Sequence, residues 1–366
     1  MTARITQPKI NIREELINNK QRYGIKGKQL LEADTVNEVR SLIGAGRKNL
    51  LINGDFNIWQ RDTTFTLPTT GKYTADRFFA ARSSSVGAYT VNQVTGDIST
   101  YAIKLQRDSG DTLTNFIGLT YVIETIDVVK LRGKSLTGTI RLKKGKDLIL
   151  PTNGIRFTLS QTSVDDQTFV RASHGSISSA NSDFEAYALG INLTDEFVDY
   201  TFNFGNIASV TNTISLRIGW TPEVGTAGTD DSITIDRMQL EVGTEGTEFD
   251  EVPINSEIEL CQRYYQKSYD LETDLGTITN NGVVREHAVR NHATNTIGDR
   301  FKTRMRVIPT ITIYSPSTGT SGMVYNDGDK SGTPGYIAES GIPYTAITGG
   351  TTAFYASYHY TADAEI

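Results

Sequence analysis

The sequence predicts a mainly β protein, and composition, alternation and turn chemistry carry that reading. Its 366 residues include 33 Gly, 17 Tyr and 14 Phe but only 9 Pro, a mixture that favours strands and turns over a helical bundle or a disordered chain. Between Asn49 and about Val252, strand-like runs recur, with period-two alternation clearest at Gly154–Leu159 and Thr213–Ile218. Alternate apolar residues there put one face on a core and the other in water, the pattern of antiparallel sheets packed as a sandwich. Turn formers separate the runs: Gly110 with Asp111, Gly145 with Asp147, and the stretch from Gly225 to Asp230.

Length allows two ordinary domains and an extension. Cys261 is the only cysteine, which excludes an intrachain disulfide and a multi-cysteine metal cluster. The N-terminus lacks a signal-peptide apolar stretch and no run of about 18 apolar residues occurs, so the expectation is a soluble chain made in the cytoplasm, with no membrane insertion. Residues 1–48 hold 10 Lys/Arg and 5 Asp/Glu, a net +5 that leaves −11 for the rest of the chain. An acidic body argues against nucleic-acid binding, which needs clustered cations, whereas a basic arm suits an acidic docking surface as well as ordinary solvated helices.

Three segments follow. Residues 1–47 form a short helical arm: Asp34 and Thr35 offer N-caps, Glu38 completes a capping box with Thr35, and Val36, Val39 and Ile43 make one stripe before Gly44 and Gly46. Such a helix buries too little by itself and orders against a partner. Residues 48–253 are the sandwich. Residues 254–366 open on a helix capped by Ser256 with Glu259, in which Ile258, Cys261 and Tyr265 share a face and Cys261 is a packed thiol, then return to strands as a smaller β domain.

Several motifs resemble structural proteins of tailed bacteriophages. The run Asn49–Arg61 (NLLINGDFNIWQR) followed by Tyr73–Phe78 (YTADRF) is similar to the opening of phage appendage proteins and, more loosely, of carbohydrate-binding-module-like jelly rolls. Ile233–Gly243 looks like the closing strand of that fold and Leu131–Lys143 like its middle strand. Cys261–Ser268, Arg304–Thr310 and Lys26–Thr35 resemble the small domain and N-terminal arm of such phage proteins. The resemblance implies a jelly-roll β-sandwich with a smaller C-terminal β domain, in a structural virion protein assembled in the host cytoplasm. It further implies a homo-oligomer, most simply a homotrimer, attached by residues 1–47 to other virion proteins of tail or capsid. A tail-fibre or adhesin subunit recognising a host-surface glycan or protein is the leading reading. A capsid-bound head fibre or decoration protein, and a polysaccharide-cleaving enzyme, are the alternatives.

Chemistry favours a non-enzyme. The four histidines are His174, His287, His292 and His359, and the five-residue spacing of His287 and His292 suits neither a helical nor a strand metal pair. Neither a nucleophile elbow nor a phosphate loop occurs. Asp165, Asp166, Asp195, Glu196 and Asp199 read as solvated loop acids, not as a glycosidase pair. No cofactor is expected beyond the structural Ca²⁺ that sugar-binding jelly rolls often hold, for which the resemblance offers Asp55 and Asp236. Trp59 and Trp220 read as core. Ten of the 17 tyrosines lie at or after Tyr264, which makes Tyr336, Tyr344, Tyr355 and Tyr358 the candidate ligand-binding residues. Equally, Tyr355, Tyr358 and Tyr360 suit packing in a subunit interface.

Overall fold

A computed structural model describes residues 47–67, 71–82, 89–150, 154–166, 184–191, 193–223, 225–287, 298–348 and 355–366. The expected arm therefore lies outside the described residues except for Arg47, as do His174 and His292. Lys48 and residues 247–251 belong to a compact unit with the N-terminal segment, within which the Lys48 amide donates to the Asp250 carboxylate at 2.6 Å. Residues Asn49–Gly246 and Val252–Ile366 form the other unit. The boundary expected at 253/254 falls inside it.

Two six-stranded antiparallel sheets make the sandwich. One runs β1 (Thr64–Thr66), β4 (Tyr89–Thr95), β5 (Tyr101–Arg107), β12 (Ser232–Val242), β7 (Ser135–Lys144) and β10 (Val198–Asn206). The other runs β2 (Lys72–Tyr73), β3 (Phe79–Arg82), β6 (Ile117–Ile123), β11 (Thr213–Trp220), β8 (Ile155–Thr162) and β9 (Phe184–Ile191). From β5 to β8 and again from β9 to β12 the chain crosses between sheets at each step, which is jelly-roll connectivity. The alternation read from sequence sets the core: Ile155, Phe157 and Leu159 of β8 and Ile214, Leu216, Ile218 and Trp220 of β11 meet Leu136, Ile140, Leu142, Ile233 and Ile235 from the facing sheet. A bulge in β12 between Ile235 and Arg237 shifts the phase by one residue, so that Met238 and Leu240 continue the buried face.

The second sheet departs from the expected wet outer face. Thr158, Ser160 and Ser215 are buried, and on its β3–β6 side Phe79, Ala81 and Val122 pack with Tyr264 and Ile366 from the C-terminal part. Tyr264 and Ile366 cover the β3–β6 side of that face.

The C-terminal part opens on α2 (Ile254–Gln262), the longer of the two described α-helices; α1 is Thr125–Val128. The helix starts after Pro253, with no side-chain cap. Ser256 and Glu259 therefore lie inside it and form no capping box, because the φ-restricted proline sets the N-cap three residues earlier. It ends before Tyr265, which lies in β13 (Tyr265–Lys267). Strand β21 (Tyr355–Asp363) is central, pairing with β13, β14 (Val284–His287), β16 (Thr310–Tyr314) and β17 (Met323–Tyr325). Its inward residues Tyr358, Tyr360 and Ala362 join Ile313 and Val324 in a second core.

A buried ion network joins the two parts. Glu365, two residues past β21, is held inward by the Asp363 carboxylate, which accepts its amide at 3.0 Å. Its own carboxylate pairs with Arg77 and, at 3.3 Å, with Arg61. Arg77 lies 3.4 Å from the Tyr264 ring centroid and Arg61 3.7 Å from that of Tyr265, so consecutive tyrosines cover consecutive guanidiniums. Gln60 donates to the Tyr265 carbonyl at 2.8 Å, the Asn53 amide donates to Glu257, and Arg263 pairs with Glu124 at 2.9 Å. Burial opposes charge on Arg61 and Arg77, but Glu365 and its neighbours outweigh it and hold both above the usual arginine range.

Removing one partner of such a network leaves a charge buried without compensation, at a cost of about 3–5 kcal/mol. Glu365→Ala should lower stability by that order in urea unfolding. The double variant Arg77→Met with Glu365→Leu should lose less than Glu365→Ala alone. Equal loss in both would mean that packing, not charge pairing, sets the interface.

Candidate functional site: a cleft between sandwich and C-terminal sheet

The opening motif forms the base of the site. Gly54 is needed because a Cβ there would stand 2.4 Å from the Met238 carbonyl, and its own carbonyl accepts the Met238 amide at 2.7 Å, which ties the opening segment to the closing strand. Phe56 (φ 55°) and Arg77 (φ 72°) adopt the left-handed region, a conformation that costs roughly 1–2 kcal/mol for a residue with a Cβ. At Arg77 the strained backbone presents the guanidinium to Glu365, and the pairing offsets the strain.

One face of the C-terminal sheet forms the floor. Tyr265 and Lys267 on β13 stand opposite Asp363 and Thr361 on β21, which in turn face Thr310 and Thr312 on β16. Period-two geometry puts these six on one side and Gln266, Ala362 and Ile311 on the other. Thr64 and Thr66 of β1 with Lys72 and Tyr73 of β2 supply the opposite wall of a cleft of about 780 Å³. An adjoining pocket of about 240 Å³ takes Trp59, Gln93 and Tyr101 from the sandwich and Lys267, Glu272 and Asp274 from the C-terminal part. Arg61, Asp62 and Asp274 line both. The larger cleft is of the size that holds a small ligand, and its lining of hydroxyls, carboxylates and aromatic rings suits a hydrophilic one.

Charge in the site is set by burial. Behind the floor, burial pushes the Asp76 carboxyl up to about 6, against the pull of Arg61 and of hydrogen bonds from the Gln60 amide and side chain. Burial likewise depresses the Lys267 ammonium to about 8, with Asp76 and Asp274 pulling the other way. Lys267 donates to the Thr273 carbonyl at 2.7 Å.

The residues singled out in the sequence lie elsewhere. Tyr336 is 83% exposed and Tyr355 half exposed, neither in the cleft. Tyr358 is wholly buried in the second core and presents nothing to a ligand; alternation along β21 turns it inward. The Tyr344 side chain lies outside the described residues. Asp236 and Asp55 do not fit a Ca²⁺ site. Asp236 sits in the β12 bulge and accepts the amides of Asp97, Ile98 and Ser99 at 2.7, 3.4 and 3.4 Å. Asp55 accepts from the Asn57 side chain at 2.7 Å. Both serve as internal acceptors, and among the described residues no group of three His, Cys, Asp or Glu could hold a metal. Trp59 and Trp220 are core residues, and Cys261 is buried, with burial pushing its thiol up.

One pair invites a catalytic reading. Ser268 Oγ accepts the Tyr360 amide at 3.0 Å, and because His359 Nε2 faces a carbonyl and must carry the ring proton, Nδ1 of the neutral imidazole accepts from the Ser268 hydroxyl at 3.0 Å. His359 Nε2 then donates to the Thr279 carbonyl at 3.0 Å, a neutral partner where a triad has a carboxylate. With His359 fully buried and stacked on Tyr269 at 3.8 Å, the pair locks β13 to β21.

No protein-family model and no curated protein matches the sequence. Among solved structures, the family 11 carbohydrate-binding module of Clostridium thermocellum cellulase Lic26A-Cel5E is 13% identical, covering 56% of this chain and 98% of that one at a TM-score of 0.30. A CBM4 structure is 16% identical over 52% of this chain and 98% of that one, with a TM-score of 0.28. The enzymatically active domain of bacteriophage CBA120 tailspike protein 4 is 14% identical over 53% of this chain at a TM-score of 0.30, and the chain spans 21% of its length. Likeness of this degree leaves the jelly-roll assignment to the strand order itself.

Asp76 generates a pH prediction. Its folded pKa is raised, so the folded state binds its proton more readily than the unfolded chain, whose carboxyl titrates near about 3.9. The stability this contributes is fully present below that value and is lost as pH rises through about 6. The difference in unfolding free energy between wild type and Asp76→Asn should therefore move in favour of wild type, by up to about 3 kcal/mol, as pH falls from about 7 to 4. A difference independent of pH would contradict the buried placement.

Proposed function

We propose that this chain is a non-enzymatic appendage subunit of a tailed-phage particle, in which jelly roll and C-terminal sheet together hold a host-surface glycan in the cleft between them. The observation that carries the reading is the cleft itself: about 780 Å³, walled by hydroxyl, carboxylate and tyrosine side chains and built from two parts locked by a buried ion network. A preformed polar groove with aromatic edges suits a sugar chain, because rigid walls reduce the ordering cost of binding, rings pack on the C–H face of a pyranose and carboxylates accept from its hydroxyls. The basic N-terminal segment fastens the subunit to the particle, and a trimer supplies the avidity that weak single-site contacts need.

Competition for adsorption tests this. Purified chain added to host cells should reduce phage attachment, and Thr312→Trp, which fills the floor with a ring, should not, while keeping the circular dichroism and melting temperature of wild type. A chain that fails to compete, or a filled cleft that competes equally, would shift the reading to a decoration protein without host contact.

A further inference from the structure

Asparagine is followed by glycine at Asn53, Asn153 and Asn281, and the fold treats the first and last of these pairs in opposite ways. Such a pair is open to attack by the main chain on the asparagine side chain, because glycine has no Cβ to hold its nitrogen away from the amide carbon. Asn53–Gly54 is closed to that chemistry. Asn53 is wholly buried; its Nδ2 donates to the Ile58 and Asp76 carbonyls at 2.9 and 3.1 Å, and its Oδ1 accepts the Ile58 amide at 2.9 Å. The side chain cannot swing toward Gly54 without leaving buried groups unpaired. Asn153 lies outside the described residues.

Asn281 and Gly282 are both exposed, at the tip of the turn Asn280–Val283, which the Val283 amide closes by donating to the Asn280 carbonyl at 3.4 Å. Gly282 has φ 75°, as the third residue of a type II turn requires. The Asn281 amide donates to Thr279 Oγ1 at 3.1 Å, and among the described residues nothing bonds the Asn281 side chain or the Gly282 nitrogen. Behind this open tip the chain is tightly held. A Cβ on Gly282 would stand 2.1 Å from the Ser268 carbonyl, and the Thr279 carbonyl accepts from His359 Nε2 at 3.0 Å. The turn thus anchors the far end of the loop that carries Leu271, Glu272, Asp274 and Leu275 along the cleft.

We propose that Asn281 is a modification site, at which spontaneous deamidation by water converts the turn to aspartate or isoaspartate and, in the isoaspartate form, slackens the anchor of the cleft-lining loop. The Gly282 nitrogen attacks Asn281 Cγ; an N–C bond forms, the bond from Cγ to the amide nitrogen breaks, and ammonia leaves with the proton that the glycine nitrogen gives up through solvent. Water then opens the five-membered imide at either carbonyl, so the net change is asparagine plus water to ammonia plus aspartate or isoaspartate. Aspartate keeps the path of the chain. Isoaspartate routes the main chain through the side-chain carbon and adds one methylene between residues 281 and 282, where Gly282 has no room beside Ser268. The turn must shift, and the Thr279 carbonyl is drawn off His359.

Ageing the native full chain in alkaline buffer, followed by tryptic digestion and fragment mass spectrometry, tests this. Asn281 falls in the peptide Ser268–Arg285 and Asn53 in Asn49–Arg61. The first should gain the mass shift of an amide turned to acid, placed by fragment ions at residue 281, while Asn53 converts at least about a hundredfold more slowly because it must await local unfolding. In urea the two rates should converge, and Asn281→Gln should keep its peptide unshifted. An Asn281 amide that lasts as long as that of Asn53 in the native chain, or a shift that persists in Asn281→Gln, would overturn the assignment of the site. Hydrogen exchange then separates the two products: the aged, isoaspartate-bearing fraction should exchange the Ser268 and Tyr360 amides about threefold to tenfold faster than unaged chain, the loss of roughly one hydrogen bond, whereas Asn281→Asp should match unaged chain. Equal exchange in the aged fraction and Asn281→Asp would overturn the slackening of the loop.

Discussion

The carboxylate of Glu365 is the constraint on which the arrangement of the sandwich and the C-terminal sheet depends. It meets two arginines from one short stretch of the sandwich, and each guanidinium is covered by one of the adjacent rings Tyr264 and Tyr265. Charges so deeply buried are tolerable only when paired and hydrogen-bonded. Arg77 also donates to the Val122 carbonyl at 2.8 Å, while Arg306 holds the Ala364 and Glu365 carbonyls at 3.0 and 3.2 Å. The segment after β21 is thereby fixed from both sides, and the threonine-bearing face of the C-terminal sheet is fixed with it.

From this follows a meaning for motifs that resemblance alone leaves as labels. The opening runs contribute Asn53, Gln60, Arg61, Tyr73, Asp76 and Arg77. The run Cys261–Ser268 contributes Arg263, Tyr264 and Tyr265. These are the two halves of one interface, more than 180 residues apart in sequence. The left-handed backbone at Arg77 belongs to the same design: strain is kept where the chain must present a charge in a fixed direction.

Much of the fold was legible in the sequence, because burial on one strand face leaves a period-two trace. Ile155, Phe157 and Leu159 read as core and are core, and Trp59, Trp220 and Cys261 are buried as expected. The site was not legible in the same way. Arginine and glutamate are solvated by default, so nothing local distinguishes Arg61, Arg77 and Glu365 from surface charges; only pairing across some 290 residues does. Tyrosine enrichment near the C-terminus drew attention to Tyr358, whereas the tyrosines that shape the cleft are Tyr73 and Tyr265, ordinary in their own neighbourhoods. The helix start was misplaced because a Ser–Glu capping pattern competed with Pro253, and the proline's fixed φ prevailed. The cover of Tyr264 and Ile366 over the β3–β6 side of the second sheet also escaped, since it comes from residues far along the chain.

The central claim is that jelly roll and C-terminal sheet behave as one cooperative body with a preformed cleft. Native-state hydrogen exchange across a urea series tests it most directly, by comparing amides in the centre of β6 with those in the centre of β21. The account predicts that both sets merge into a single opening with the same free energy and the same urea dependence. A β21 that opens at markedly lower free energy, with a smaller dependence, while β6 stays protected would contradict it.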